Sequence, residues 1–388
     1  MKKCWHITLI RVRKLPYLYF FSYFCNVKVL LISTAECTGG GAIAAKRLLA
    51  ALHGEGVDAR MLVRDRQTDD PLVSAVGGKW PKAAERLRLM WRLRLPLSRT
   101  WPYDLMSDGV DILSTQEYRE ADVVHLHWVN QGMLSLSQLR KMVSSGKKIL
   151  WTLHDEWPYL GLEHYRDEVP AGTTPFLDRM GIPSKKIHFI GCSEWIARRA
   201  KKAMPEASVT HINNCIPQAL FRPLPRSEAR RALGLDENGK TVLFCAQNVR
   251  DERKGFRYLE EALQQLPDVR PLVIGRGGLT LPPERMPLAY AAADVFVTPS
   301  LGDNLPNTVA EALSCGTPCV GFAVGGIPEM IEHGKTGYLA RPRSSEDLAE
   351  GIRRVLSHPE YGKEAALAAR RLFSPEKVAK AHLALYRM

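Results

Sequence analysis

The sequence predicts two doubly wound α/β domains facing each other across a central cleft. Three observations carry that prediction. A chain of 388 residues, 45% apolar and 24% charged, suits two soluble compact domains better than one. Short apolar runs alternate with helix-like stretches in two separate series, the pattern of parallel strands joined by crossover helices. Between the series, Pro217, Pro223 and Pro225 favour an extended connector over a helix or a central strand.

The elements follow in order. Met1 to Asn26 reads as an extension outside the fold: its longest apolar run, Tyr17 to Cys25, is far short of the roughly 20 residues that cross a bilayer. Arg11, Arg13, Lys14 and Pro16 interrupt it and no A-x-A-like site follows, so a signal peptide fits poorly; a membrane-touching arm is the competing reading. Residues 27–215 form the first domain, opening with the apolar run Val27 to Ser33, the break Gly39-Gly40-Gly41, a helix over Ala42 to His53 and a strand over Ala59 to Val63. Further strands are expected at Ala121 to Trp128, Lys148 to Leu153, Ile187 to Gly191 and Val209 to Ile212. A linker is assigned to 216–240. The second domain, 241–372, has strands at Thr241 to Cys245, Pro271 to Ile274, Asp294 to Thr298 and Pro318 to Phe322, with helices such as Gly255 to Leu266 and Leu305 to Ser314. Residues 373–388 are expected to form a helix packing back on the first domain.

Composition narrows the chemistry. The eight cysteines include no C-x-x-C pair, which argues against a disulfide scaffold and a structural zinc site. With 54 Lys plus Arg against 41 Asp plus Glu, the net charge of +13 points to anionic partners: phosphates, nucleic acid or an acidic membrane surface. Trp80, Trp91 and Trp101 stand among arginines, yet no nucleic-acid module surrounds them, so nucleic acid is not expected as a partner.

Candidate site residues sit where strands end. Gly40 and Gly41 follow a strand and precede a helix, where backbone N–H groups can approach a diphosphate; a tight turn is the competing reading. Asp303 to Glu311 begins another helical stretch, with Asn304 or Asn307 as its cap and the two acids eight residues apart, near one face. Carboxylates there accept hydrogen bonds from sugar hydroxyls, against the blander reading of an acid favoured by the helix dipole and a solvated Glu. Lys254, just beyond the first strand of the second domain, reads alone as part of a solvated charge cluster and, combined with the helix N-terminus after Asp303, as a cation that neutralises a diphosphate leaving group. No Asp-x-Asp pair exists to hold a divalent ion, so no metal and no resident cofactor are expected. His125 and His127 alternate on one strand; His127, nearer the carboxyl end, is the cleft candidate, and His154 ends the next strand. The basic and apolar stretch Lys82 to Leu95 suggests an interfacial helix meeting acidic headgroups, although Arg86 and Arg94 fall within the arc of Leu87, Met90 and Trp91, and an ordinary surface helix competes.

The runs Ala291 to Ser300, Asp303 to Pro318, Gly325 to Glu329 and His333 to Tyr338, with Asp122 to His127, Trp151 to Pro158 and Asn213 to Pro217, closely resemble the retaining glycosyltransferases of family four. Thr-Leu-His-Asp-x-Trp-Pro and Asp-Asn-Leu-Pro-Asn-Thr resemble the bacterial exopolysaccharide and colanic-acid type. The resemblance implies the GT-B fold, two Rossmann-like domains about the cleft, and a nucleoside-diphosphate sugar as donor. It implies that Asp303 holds the donor sugar, Glu311 the ribose, Lys254 the diphosphate and His127 the reacting sugar. His127, Lys254 and Asp303 are thereby catalytic, and Gly40, Gly41, His154, Arg250, Asn304, Leu305 and Glu311 substrate-binding. The family's arginine partner of Lys254 falls where this chain has Val249, so Arg250 is taken as its substitute. The expected acceptor is an oligosaccharide or a polyprenyl-linked saccharide, and the expected location is the cytoplasm, at the inner face of the membrane. The stretches after His154 and from Gly275 to Ala289 are short for the family. A sugar-nucleotide epimerase and an inactive binding subunit of a polysaccharide assembly complex are the alternative functions.

Overall fold

A computed structural model describes residues 27–78, 80–100, 103–166 and 174–388; the extension 1–26 and Trp101 lie outside them. In the first half, β1 (Val29–Ala35) leads through α1 (Gly40–Gly54) to β2 (Ala59–Asp65) and β3 (Val73–Ala75). Then come α2 (Trp80–Leu93), β4 (Tyr103–Asp104), α3 (Gln116–Glu120), β5 (Val123–Leu126), α4 (Leu136–Ser144) and β6 (Lys148–Leu153). The half is completed by α5 (Trp157–Leu160), β7 (Leu162–Glu163), α6 (Phe176–Arg179), β8 (His188–Gly191), α7 (Glu194–Ala203) and β9 (Ser208–His211). Seven of these strands form one parallel sheet in the order β3-β2-β1-β5-β6-β8-β9, while β4 and β7 make a separate antiparallel pair. Every residue of β1, VLLISTA, is buried, as expected for a central strand covered on both faces. The strand order reverses between β1 and β5, which opens a crevice at their carboxyl ends.

The second half runs α8 (Arg226–Leu233), β10 (Lys240–Asn248), α9 (Phe256–Leu263), β11 (Val269–Arg276), α10 (Met286–Ala292), β12 (Val295–Thr298), α11 (Asn307–Ser314) and β13 (Cys319–Phe322). It ends with α12 (Ile327–Met330), β14 (Gly337–Ala340), α13 (Ser345–Leu356), α14 (Tyr361–Leu372) and α15 (Pro375–Arg387). Its sheet is parallel, in the order β11-β10-β12-β13-β14, and reverses between β10 and β12. Separate apolar clusters flank each sheet.

Two elements differ from the sequence expectation. The segment 216–240 is not a plain tether: Ala229 of α8 joins Ala291 and Ala292 of α10 in a small core, and Arg230 is tied to Asp294 at 2.6 Å. That helix was hidden by the prolines on its N-terminal side, which end where it starts. In α2, Arg86 does not share the face of Leu87 and Trp91. It is 4% exposed and ion-paired to Asp104 at 2.5 Å, because its side chain points inward onto the Thr100 and Tyr103 carbonyls and the Asp104 carboxylate at β4. Arg94 lies beyond the helix end, at a φ of 52°. The last helix, α15, packs on α1, with Val378 and Tyr386 in the core beneath β1, and Tyr386 Oη lies 2.7 Å from His125 Nδ1.

Candidate active site

The second half's side of the cleft is built where β10 and β12 end. After β10 the chain makes a tight turn, Glu252 to Lys254, and then adopts a φ of 68° at Gly255. A Cβ on Gly255 would lie 1.9 Å from the carbonyl oxygen of Pro299, so only glycine lets these two loops touch. The contact delivers Lys254 Nζ to 2.5 Å from Asp303 Oδ2. Arg253 Nη1 is 3.7 Å from the same oxygen and donates to the Gly302 carbonyl at 2.8 Å. Burial disfavours a charged Asp303, but the two cations outweigh it and hold its carboxyl below its ordinary value. The aspartate is therefore an anion already neutralised by two fixed cations.

Helix α11 starts at Asn307, not at Asp303, and Pro306 occupies its N-cap position without a side-chain cap. Proline has no N–H to leave unpaired and keeps the preceding residue out of helical conformation, so Asp303, Asn304 and Leu305 stay in the entering loop. Neither asparagine caps the helix. Asn304 instead donates to the Leu153 carbonyl at 3.0 Å and accepts from Ser193 Oγ at 2.5 Å, while Asn307 donates to the Gly40 carbonyl at 3.0 Å. Leu305 is buried in the core of the second half. Glu311, one turn into α11, accepts from Arg47 Nη2 of α1 at 2.6 Å and from Tyr290 Oη at 2.7 Å. Glu329 accepts the N–H groups of Glu194 and Trp195, both at 2.6 Å, in the first turn of α7, where the helix dipole favours an anion. The two halves thus meet across the cleft through several polar contacts.

The first half's side of the cleft centres on the end of β5. His127 Nδ1 lies 3.0 Å from His154 Nε2; His127 is buried and His154 half-buried, and the loss of solvent pushes His127 well below its ordinary pKa and His154 to about 4. Both are neutral imidazoles near neutral pH. A Cβ on Gly41 would sit 3.1 Å from the His154 ring and 3.2 Å from Trp128 Cβ, so glycine allows α1 to close on the pair. His127 Nε2 is buried and has no hydrogen-bond partner, and His127 lines, with Thr152, Asn214 and His382, a cavity of about 10 Å³, room for about one water. Its strand neighbour His125 is an interior residue bonded to Tyr386 and Thr152.

Behind the pair runs a chain of charged groups. Trp128 donates to Asp155 at 3.1 Å; His164 spans Asp155 at 2.6 Å and Asp104 at 2.8 Å; and Asp104 holds Arg86. Burial opposes the charged imidazole, but the two carboxylates outweigh it and raise the His164 pKa to about 10.

The fold thus gathers Lys254 with Asp303, His127 with His154 and Gly41, and Gly40 with Asn307. It leaves Arg250 exposed on the turn, its backbone N–H bonded to Asn248, while Arg253 stands beside Asp303 in its place. Arg253 was legible only as a neighbour of Lys254 in an exposed-looking run. Arg47 lies two helical turns after Gly40 on the same face of α1, a spacing that pointed it at the cleft. Tyr290 and His164 carried no such signal. Among the described residues no three His, Cys, Asp or Glu side chains are grouped to hold a metal ion.

Two facing parallel α/β sheets with a cation-rich helix entry between them frame the site, and each half matches a glycosyltransferase family model. Residues 38–219 match the model described as Glycosyltransferase Family 4, and residues 239–358 that described as Glycosyl transferases group 1. The chain is a glycosyltransferase of the family-four type, and its two Rossmann-like domains form the GT-B fold. It is 22% identical, over 74% of its own length and 79% of the relative's, to N-acetyl-alpha-D-glucosaminyl L-malate synthase of Bacillus anthracis. It is 30% identical to D-inositol 3-phosphate glycosyltransferase of Nocardioides sp. over 43% of this chain, and spans only 46% of that protein. Among solved structures, sucrose-phosphate synthase of Thermosynechococcus elongatus superposes with a TM-score of 0.71 at 20% identity over 93% of this chain and 98% of that one. Anabaena HepE in complex with UDP-glucose superposes with a TM-score of 0.65 at 17% identity over 93% and 100%.

Proposed function

We propose that this glycosyltransferase moves a hexose-type sugar from a nucleoside diphosphate to an oligosaccharide or polyprenyl-linked acceptor in bacterial exopolysaccharide synthesis, with retention at the anomeric carbon. The observation that carries the reading is the Lys254–Asp303 pair, with Arg253 beside it, at the entry to α11. A diphosphate bound there meets Lys254 and the free N–H groups of the first turn of α11, and the charge it gains as it leaves is stabilised by groups already in place. The bond from the anomeric carbon to the phosphate oxygen breaks, the acceptor oxygen bonds to that carbon on the same face, and the acceptor's proton passes to the departing phosphate. Asp303 accepts from the donor sugar's hydroxyls, Glu311 from those of the ribose, and neutral His127 lies beside the reacting sugar. The +13 charge and a lipid-linked acceptor favour work at the inner face of the cytoplasmic membrane.

The supporting comparisons are those with proteins bound to UDP, UDP-glucose and ADP in their solved structures. Incubation with a panel of labelled nucleotide sugars tests the reading: labelled saccharide on an acceptor supports it, an epimerised nucleotide sugar makes the protein an epimerase, and tight donor binding with no product makes it a binding subunit. Because side chains and a helix end are sufficient to meet the diphosphate charge, turnover should be unchanged by excess chelator. A strict dependence on manganese or magnesium would overturn the metal-independent form of the mechanism.

A further inference from the structure

Helix α2 is amphipathic in the reverse of the usual sense for a surface helix. Its inward face carries Glu85 and Arg86 with Leu89: Glu85 accepts the N–H groups of Leu105 and Met106 at 2.8 and 2.7 Å, and Arg86 is paired with Asp104. Its outward face carries the apolar residues. Trp80 is 84% exposed, Trp91 82% and Leu87 57%, with Met90 beside them, and at 3.6 residues per turn these four share one stripe opposite the buried face. The following turn adds exposed Leu97. Large aromatic side chains held in water on an ordered helix are an unsatisfied apolar surface, and the polar inward face is locked too firmly for the helix to roll over.

The border of the stripe chooses its occupant. Arg88 is paired with exposed-side Asp108 at 2.9 Å, and Arg92, Arg94 and Arg99 are exposed around Trp91 and Leu97. Tryptophans that place an apolar ring beside a polar N–H, ringed by cations, match the headgroup boundary of a bilayer that carries negative charge. A second copy of this chain would bring arginines against arginines around the same stripe.

We propose that the outward face of α2 and the turn 97–99 dock this protein on an anionic phospholipid bilayer, with Trp80, Leu87, Met90, Trp91 and Leu97 entering the headgroup boundary and Arg92, Arg94 and Arg99 facing lipid phosphates. This deepens the lipid-linked reading above and rests on it for its purpose; the surface itself rests on the geometry of α2. The docked helix is joined to the acceptor side of the cleft through Arg86, Asp104, His164 and Asp155, so binding places that side of the cleft towards the membrane.

Flotation of the full chain with vesicles of phosphatidylcholine alone, or with phosphatidylglycerol added, at low and high salt, tests the proposal. The protein should float with the anionic vesicles and stay behind with the neutral ones. Arg92→Glu with Arg99→Glu should weaken binding about tenfold or more and flatten its salt dependence. Leu87→Gln with Trp91→Gln should remove the part of the binding that survives high salt. All substituted residues are exposed, so an unchanged unfolding temperature should accompany both variants. Absence of wild-type flotation on anionic vesicles at low salt would overturn the proposal, as would a dimer in sedimentation that Leu87→Gln with Trp91→Gln dissociates. Donor turnover with a soluble acceptor, measured in parallel, separates the two readings: flotation without sugar transfer leaves the surface standing and sinks the transferase, and transfer without flotation does the reverse.

Discussion

The two walls of the cleft, the proposed donor wall of the second half and the proposed acceptor wall of the first, hold charge by opposite means. On the donor wall the groups come from short stretches of chain: Arg253 and Lys254 from one turn, Asp303 from one loop, and their charges meet directly at 2.5 and 3.7 Å. On the acceptor wall, two neutral imidazoles sit in front of a relay whose members, Arg86, Asp104, Asp155 and His164, come from α2, β4, the loop between β6 and α5, and the loop after β7. The first wall is electrostatics at the surface of a helix entry; the second is a buried polar network, in which each member is indispensable because its partners have no water to turn to.

The difference sets the size of the expected effects. Asp104→Ala strands Arg86 and His164 together and should cost about 3–5 kcal/mol of stability, read as the loss in urea unfolding free energy. A loss below about 1 kcal/mol would show that water reaches the relay. Lys254→Ala should cost less stability than Asp104→Ala, because Arg253 remains beside Asp303, but lower turnover about 100- to 1,000-fold, as for removal of one preorganised charge partner, whereas Arg250→Ala should stay within about threefold of wild type. Equal losses in both would restore Arg250 to the site.

A third measurement probes the root of the relay. Burial, reinforced by Asp104, raises the Glu85 pKa to about 7 from an ordinary value of 4.5, so the folded protein holds a proton there that the unfolded chain gives up. Its contribution is complete at acid pH and is lost as pH rises towards about 7, and stability should fall by about 2–3 kcal/mol between about pH 5 and pH 8 on this account. Glu85→Gln should flatten that part of the profile; an unaltered slope would assign the titration elsewhere. The smallest effect is expected at the cross-cleft pair. Glu311→Ala should raise the donor KM about tenfold with little change in kcat, through the lost ribose contact. A matching fall in kcat would place Glu311 in the chemistry, and a large loss of stability would make its bond to Arg47 its main work.

The sequence by itself determined the two sheets, because apolar runs of strand length buried on both faces can be little else, and their alternation with helices forces parallel order. It also placed Lys254 and His127 just past strand ends and Asp303 in the entry to a helix, since those positions follow from where local patterns stop, although the helix itself begins only at Asn307. It did not determine which side chains face each other. That Arg253 rather than Arg250 stands by Asp303 follows from the left-handed turn at Gly255 packed on Pro299. That Glu311 answers to Arg47 follows from the approach of the two halves, and to Tyr290 from the packing of α10 on α11 within the second half. That Arg86 turns inward while Leu87 and Trp91 turn out follows from a carboxylate, Asp104, which the fold alone carries beneath α2. A helical period tells which residues share a face; only the partner waiting beneath the helix decides which face is buried.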